Sequence, residues 1–301
     1  MTERTSHHTP AGRARGALSC GENRRNSGNM RSTRLGLAFF GLGLACLASS
    51  ACSAEVTDAD PLAAESGEEA INGGQVERSY PAVGLLRFPS KNFGSGALIA
   101  PNVVLTAAHV ALGKPDTFFF GKVAAKVSPS AATLRSVPIK EWKVHPCYAT
   151  PLPDGCPGRL DVAVVHLAEP IKDVAPLPRY EGDLRLFWGL YNPFVGDTCV
   201  AVGFGAHLEP DGKPGAWTAG VRRSAKSWIE SVEDNEVVVR WISGIATSGD
   251  SGSPLLCNGK IVGTVRGSAD ASNKGVERMR EGYIRIDRVA DFVDDQVAAW
   301  R

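Results

Sequence analysis

Short apolar runs separated by glycine, proline and polar residues dominate the chain from residue 71 onward. Runs of this length, rich in Val, Ile, Leu and Phe, are typical of β-strands, and their irregular spacing favours antiparallel barrels or a sandwich. The predicted strands are Ala82–Phe88, Gly96–Ile99, Val103–Ala107, Thr117–Val123, Val162–Leu167, Cys199–Phe204, Glu236–Trp241, Ile261–Val265 and Tyr283–Ile286. The pattern therefore predicts an all-β domain.

Helical spacing occurs only at the C-terminal end of this region. In Ile286–Arg301 the apolar residues recur every three or four positions and form a stripe along one face of a helix. The stripe consists of Val289, Phe292, Val293, Val297 and Trp300. We therefore expect the strands to be followed by one C-terminal α-helix.

The N-terminal part of the chain has a different pattern. Leu35–Ala51 is apolar and uncharged, follows two arginines and ends in small residues, which is typical of a signal peptide. A retained anchor is the less favoured alternative, because the stretch is short for a membrane span of about 20 residues. Cys52 follows Ser-Ser-Ala and is a candidate site for lipidation, with plain cleavage nearby as the alternative. Either outcome exports the mature chain to a compartment where disulfides persist.

Two further segments flank this signal. Residues 1–29 are polar, so translation starting at Met30 is one interpretation, and a twin-arginine signal at Arg24-Arg25 is another. Residues 53–70 are acidic, contain no basic residue and lack hydrophobic periodicity, which is typical of a solvated linker or pro-segment. The predicted organisation is an extension with signal peptide (1–52), an acidic segment (53–70) and one domain (71–301).

Composition and charge exclude several functions. Hydrophobic residues make up 43% of the chain and charged residues 22%, which are globular proportions. The formal net charge is only +1, so nothing indicates a nucleic-acid binder, which needs a basic surface. The sequence has no zinc-ligand cluster and no glycine-rich phosphate motif, so we expect neither a metal nor a cofactor.

Three short stretches carry the residues for chemistry. They are Leu105–His109, Leu160–Val165 and Gly249–Pro254. A serine hydroxyl is a poor nucleophile near neutral pH, so it needs an imidazole to accept its proton and a carboxylate to hold that imidazole. His109, Asp161 and Ser251 supply one of each group. Glycines beside Ser251 allow backbone N–H groups to turn toward a developing oxyanion.

In order and spacing these stretches resemble the trypsin/chymotrypsin-like serine proteases. The resemblance is to an exported member of the bacterial type. The resemblance covers Ile71–Arg301. It implies two antiparallel six-stranded β-barrels packed together, with the site in the crevice between them and a C-terminal α-helix. It also implies a serine endopeptidase that uses His109, Asp161 and Ser251 as a triad, with the backbone N–H groups of Gly249 and Ser251 as the oxyanion hole. The partners would be protein or peptide substrates of a monomeric enzyme.

The start of the domain resembles the new N-terminus that a zymogen of this family gains when its pro-segment is cut. The sequence there is Ile71-Asn72-Gly73-Gly74. The resemblance implies that the freed Ile71 ammonium pairs with Asp250 and fixes the oxyanion loop. Ala70 departs from the Arg or Lys of trypsin-activated zymogens, so we expect activation by a protease that prefers small residues, or by the enzyme itself.

The cysteines are consistent with an oxidised domain. The resemblance implies a Cys199–Cys257 disulfide, and the two remaining cysteines of the domain, Cys147 and Cys156, are accounted for if they pair with each other. Zinc binding by this second pair lacks two further ligands. Two other bridges of the family are missing as complete pairs, with Gly94, Val110 and Thr247 at positions where the family has cysteines.

The expected substrate pocket departs from that of trypsin. Ile245 and Ala246 stand where members that cut after Lys or Arg carry an aspartate, and an apolar floor cannot compensate a buried cation. Cleavage after small or medium apolar residues is therefore expected. The pocket wall, Ser-Trp-Gly in most relatives, is Arg266-Gly267-Ser268. An acidic preference conferred by Arg266 is the alternative, if its side chain does not simply face solvent.

Two functions from different classes stay open. The favoured one is an exported endopeptidase, secreted or periplasmic, with a membrane tether if Cys52 is acylated. The other is a catalytically inactive homologue that serves as a binding module. A third alternative is an esterase with the same triad, but the chain lacks the Gly-x-Ser-x-Gly elbow that such an esterase would carry.

Overall fold

A computed structural model describes residues 74–185, 195–208, 214–215, 219–244, 246–266 and 280–301. The predicted signal peptide, acidic segment and lipidation site lie outside these ranges. Within them no helix is long and apolar enough to cross a membrane.

The described residues form fifteen strands, two α-helices and two short 3-10 segments. The strands are β1 Gln75–Val76, β2 Val83–Arg87, β3 Phe93–Ala100, β4 Val103–Thr106, β5 Thr117–Phe120, β6 Arg135–Val144, β7 Ala163–Leu167, β8 Thr198–Gly203, β9 His207–Leu208, β10 Pro214–Gly215, β11 Arg223–Val232, β12 Glu236–Trp241, β13 Pro254–Cys257, β14 Lys260–Val265 and β15 Arg280–Arg285. The helices are α1 Ala108–Leu112 and α2 Ala290–Ala299, and the 3-10 segments are Pro146–Tyr148 and Ile286–Val289.

The first six-stranded barrel is closed in the order β2-β3-β4-β7-β6-β5. Strands β4 and β7 are buried along their whole length, which explains why their sequences are apolar apart from Thr106 and His166. β3 contains two glycines at which a side chain would not fit. A Cβ at Gly96 would lie 2.7 Å from Cγ1 of Val104, so close approach of neighbouring strands requires glycine there.

The second barrel also has six strands and closes through the pairing of β8 with β11. Its order is β11-β12-β15-β14-β13-β8, and β1 pairs with the edge of β11 as an added strand. One buried apolar cluster joins the two barrels and includes Leu105, Phe204, Leu256 and, from α2, Val293. The all-β fold of two barrels with a C-terminal helix is therefore confirmed.

Every predicted strand overlaps an observed one, but the sequence pattern misses several. The long strands β6 and β11 were not predicted, nor was β13. β6 alternates exposed and half-buried residues and includes Pro138, while β11 alternates small or polar residues with few large apolar ones. The predicted helix is also shorter than expected, because its first turn is the 3-10 segment Ile286–Val289.

Candidate active site

His109 and Asp161 are brought together by the pairing of two buried strands. His109 lies in α1, three residues after β4 ends, and Asp161 lies two residues before β7 begins. Because β4 and β7 pair antiparallel, the end of one strand meets the start of the other, with Thr106 opposite Ala163. The apolar sequences of the two strands therefore determine that these polar side chains meet.

Two hydrogen bonds join the histidine to the aspartate. The backbone N–H of His109 donates to Oδ1 of Asp161 at 3.0 Å, and Nδ1 lies 2.7 Å from Oδ2. Asp161 is buried, and the carboxylate accepts from Nδ1–H, so the acceptor lone pair of the neutral ring is on Nε2. This arrangement prepares Nε2 to take a proton from a hydroxyl.

Ser251 lies in a tight turn before β13 that only glycines can flank. Gly249 has φ +100° and Gly252 has φ +85°, both in the left-handed region. A Cβ at Gly252 would lie 2.2 Å from Oγ1 of Thr106, and one at Gly249 would lie 2.4 Å from Cε2 of Phe93. Between described residues, the N–H groups of Gly249 and Ser251 donate no hydrogen bond, so both are available to an oxyanion.

The structure brings the serine and the histidine to one cavity. His109 and Ser251 both line a cleft of about 280 Å³. The remaining lining residues are Phe88, Ser90, Asn92, Phe93, Val110 and Gly113. Three residues separated by 52 and 90 positions in the sequence thus surround one site, with the histidine and aspartate from the first barrel and the serine from the second.

Ser95 holds the serine turn against the first barrel, and sequence reasoning did not single it out. Its backbone N–H donates to the carbonyl of Ser251 at 2.9 Å, and its hydroxyl donates to the carbonyl of Gly249 at 2.8 Å. The same hydroxyl accepts from the N–H of Phe204 at 3.0 Å. Ser95 is fully buried on β3. It therefore links both barrels to the two residues of the expected oxyanion hole.

Asp250 is buried beside the serine. Its Oδ1 accepts from the N–H of Gly205 at 2.7 Å, and its Oδ2 accepts from the N–H of Thr247 at 2.9 Å. Burial raises the pKa of Asp250 to about 6, although these hydrogen bonds and Arg223 act in the opposite direction. A Cβ at Gly205 would lie 2.1 Å from Oδ2, so the carboxylate occupies the space that a side chain would need.

The expected disulfides are formed, and packing occupies the position of one of the missing bridges. Cys147 bonds to Cys156 with Cα atoms 5.5 Å apart, and Cys199 bonds to Cys257 at 4.5 Å. A Cβ at Gly94 would lie 2.8 Å from Cγ1 of Val110. These two positions, where the family has a bridge, are therefore in direct contact.

The expected pocket residues are placed only in part. Ala246 is buried, and Nη1 of Arg266 forms an ion pair with Oε1 of Glu236 at 2.6 Å. Ile245, Gly267 and Ser268 lie outside the described residues, as does Ile71 of the predicted activation pair. Within the described ranges no group of three or more His, Cys, Asp or Glu side chains is placed to hold a metal ion.

Two antiparallel six-stranded barrels with a His-Asp-Ser constellation between them define the class of trypsin-like serine proteases and their homologues. The family model described as Trypsin matches residues 71–293. The chain belongs to the trypsin family.

Solved structures share this fold at low sequence identity. The scabies mite inactivated protease paralogue S-D1 is 17% identical over 76% of this chain and 98% of that one, with a TM-score of 0.58. Human heparin binding protein is 19% identical over 74% of this chain and 95% of that one, with a TM-score of 0.57. Neuropsin, a serine protease from mouse brain, is 20% identical over 72% of this chain and 95% of that one, with a TM-score of 0.53. At these identities the likeness concerns the fold alone.

Proposed function

We propose that the chain is an exported serine endopeptidase that hydrolyses peptide bonds through an acyl-enzyme. The observation that carries the proposal is the pair of hydrogen bonds between His109 and Asp161 at the edge of the cavity that Ser251 also lines. A buried carboxylate that orients an imidazole next to a serine has a specific chemical use, which is to activate the hydroxyl.

In the proposed reaction Ser251 Oγ attacks the substrate carbonyl while Nε2 of His109 takes the hydroxyl proton. The N–H groups of Gly249 and Ser251 stabilise the oxyanion, and Asp161 stabilises the imidazolium that forms. The imidazolium then gives its proton to the leaving amine, which leaves an acyl group on Ser251. A water molecule activated by His109 hydrolyses this ester and restores the hydroxyl.

The proposal includes synthesis as a zymogen that is cut between Ala70 and Ile71. Asp250 is buried with two backbone donors, and burial raises its pKa, so a cation in contact with it would stabilise the ionised form that burial disfavours. A free Ile71 ammonium supplies such a cation. Because Asp250 directly precedes Ser251, the ion pair holds the oxyanion loop in its active form.

Export is proposed on two grounds. The chain carries a signal-like apolar stretch, Leu35–Ala51, and the described domain contains two disulfides, which persist outside the cytoplasm. Acylation of Cys52 would add a membrane tether.

The competing function is that of an inactive homologue that binds partners without cleaving them. One of the structural neighbours has a title that describes an inactivated protease paralogue. The intact His109, Asp161 and Ser251 favour the enzyme, because a binding module has no chemical need for all three.

Fluorophosphonate labelling separates the two functions. We expect the parent chain to be labelled strongly after residues 1–70 are removed and weakly before, with Ile71 as the N-terminal residue of the active species. Ser251→Ala should abolish labelling and lower peptide hydrolysis by several orders of magnitude. Ser253→Ala is the control, because its buried hydroxyl has no hydrogen-bond partner among the described residues. A folded, processed parent that takes no label would identify the inactive homologue.

A further inference from the structure

The second barrel contains a buried carboxylate that forms no ion pair with a described residue. Glu281 lies on β15, opposite Val239 of β12, and only 3% of its surface is exposed. Neither carboxylate oxygen forms a hydrogen bond of standard length and angle, although the Ala246 N–H and the Trp241 indole N–H act as looser donors to it. An ionised carboxylate in this position is costly, since burial removes its hydration and no described cation pairs with it.

The position of this carboxylate relates it to the active site. The Ala246 N–H and the Trp241 indole are close enough to lower the pKa of Glu281, and Asp250 is close enough to raise it. Asp250 directly precedes Ser251, and Ala246 is the residue that the sequence places at the floor of the substrate pocket. Glu281 therefore lies behind the nucleophile turn, at the expected base of the pocket.

Two further polar groups near Glu281 also lack standard hydrogen bonds. Within the described part of the chain, Trp241 Nε1 and the hydroxyl of Tyr283 are buried without a hydrogen bond of standard length and angle. Tyr283 lies two residues beyond Glu281 on β15, so both side chains are on the same face of the strand. A set of buried polar groups that the protein leaves unsatisfied is an unusual feature of a barrel core and indicates a ligand.

Arg266 does not neutralise this charge. It pairs with Glu236, and a Cβ at Gly282 would lie 2.3 Å from Oε2 of Glu236. Gly282 and Glu281 are adjacent on β15 and so face opposite sides of the sheet. The Arg266–Glu236 pair and the Glu281 carboxylate therefore lie on opposite faces.

We propose that Glu281 is a specificity-determining residue that binds the cationic side chain of a Lys or Arg immediately before the scissile bond. This proposal rests on the proposed function. An ammonium or guanidinium group entering the pocket gives the carboxylate the charged partner that it lacks, and the carboxylate offsets the desolvation of the cation. Ala246 then lines the path of the aliphatic stem rather than the end of the pocket.

Binding of a small cation tests this proposal without catalysis. Benzamidinium affinity is measured by calorimetry on Ser251→Ala chains, both full-length and processed before Ile71, with neutral benzamide as the uncharged probe. We expect Glu281→Gln to weaken benzamidinium binding at least tenfold while leaving benzamide binding unchanged. Glu230→Gln is the control, since it removes a half-buried carboxylate of the same barrel that already pairs with Arg240 and Arg280.

Each outcome of this experiment decides the proposal. Benzamidinium that binds neither form, or that binds the parent and Glu281→Gln equally, overturns it. Gln has nearly the same shape as protonated Glu, so the variant should fold, and its unfolding transition is measured alongside. The fluorophosphonate label reports on Ser251 independently, so a chain that reacts but ignores benzamidinium separates failure of this inference from failure of the proposed function.

A peptide library provides the second measurement. With the processed, active chain we expect the highest kcat/KM after Lys or Arg, and Glu281→Gln should reduce that preference at least tenfold relative to Leu. Dominant cleavage after small apolar residues would overturn the proposal in favour of the apolar pocket. Dominant cleavage after Asp or Glu would overturn it in favour of Arg266, and Arg266→Ala should then erase that preference.

Discussion

At the scale of single residues, Ser95 has the most direct influence on the geometry of the site. From the first barrel, its hydroxyl bonds to two segments of the second barrel, at Gly249 and Phe204, and its N–H donates to the carbonyl of Ser251. A serine within an eight-residue strand carries no sequence signal for this role, because its partner Gly249 lies 154 positions away. Local motifs mark His109, Asp161 and Ser251, whereas the contacts that Ser95 makes with Gly249 and Ser251 depend on tertiary structure.

Ser95→Ala should lower kcat by about tenfold to a hundredfold with little change in KM. The substitution leaves the carbonyl of Gly249 and the N–H of Phe204 without a partner, so we also expect unfolding free energy to fall by about 1–3 kcal/mol. Steady-state kinetics and urea denaturation measure the two effects.

Ser227→Ala is the matched control for this prediction. Ser227 is also fully buried, but its hydroxyl has no hydrogen-bond partner among the described residues. We expect neither kcat nor stability to fall. An equal loss of kcat in both variants would show that Ser95 does not position the loop.

Glu281 gives the domain a specific dependence on pH. Burial and Asp250 raise the pKa of Glu281 from 4.5 to about 8, so the folded state favours the protonated form. Stability from this group is present below the unfolded pKa and is lost as pH rises from about 4.5 through 8. Glu281→Gln, which does not titrate, should match the parent in melting temperature near pH 4.5 and exceed it near pH 8.

Thermal unfolding at both pH values checks this prediction. Asp250 contributes to the parent's pH dependence in the same direction, because its pKa is also raised, to about 6. The difference between parent and variant isolates Glu281. A parent that is as stable as the variant near pH 8 would contradict the buried, unpaired state of the carboxylate.

At the scale of elements, strands buried on both faces could be predicted from the sequence pattern, whereas long strands with a solvent-exposed face could not. The sequences of β4 and β7 are apolar apart from Thr106 and His166 because both of their faces are covered. β6 contains five exposed positions and four charged residues, so its apolar content is too low for a strand signal. Its ten residues nevertheless pair with β5 and β7 and complete the first barrel.

The two disulfides should differ in their effect on stability. The Cys147–Cys156 bridge closes a separation of 9 residues and the Cys199–Cys257 bridge one of 58. The chain-entropy model gives about 2.7 kcal/mol for the short loop and about 4 kcal/mol for the long one. Replacing both cysteines of each pair by serine, with denaturant unfolding as the measurement, should reproduce this order. A larger loss from the short loop would indicate that it supports Asp161 through packing.

At the scale of the whole molecule, Arg222 joins the two barrels through buried hydrogen bonds. The guanidinium donates to the carbonyls of Glu77, Val83 and Gly121, at 3.0, 3.0 and 3.1 Å. Burial lowers the pKa of Arg222 to about 10. Arg222, which directly precedes β11 of the second barrel, thus binds two segments of the first barrel, at Val83 and Gly121. It also binds Glu77, the residue that follows β1.

Arg222→Met should lower the free energy of unfolding by about 3 kcal/mol or more, because three buried carbonyls lose their donor. Arg135→Met is the control. Arg135 pairs with Asp173 at the surface, where both side chains are more than half exposed, and such pairs contribute about 0–1 kcal/mol. Equal effects in urea denaturation would contradict the bridging role of Arg222.

The fold class could be predicted, but several strands and part of the site could not. His109, Asp161 and Ser251 each end or begin an apolar run, so local sequence marks them. Glu281 follows a segment with no strand pattern, and its burial depends on how β15 inserts between β12 and β14. Long-range pairing of this kind leaves no local trace in a single sequence.

Because Ser95 donates a hydrogen bond to Ser251, the arrangement of the candidate site depends on the packing of the two barrels against each other. Ser251 belongs to the second barrel, but its main chain is hydrogen-bonded to β3 of the first. For the proposed enzyme, a chain with only its N-terminal half folded would have His109 and Asp161 but no ordered Ser251, and a chain whose barrels had separated would lose the alignment of all three. The proposed peptide hydrolysis would then require both barrels to be folded and packed together, independently of any pro-segment.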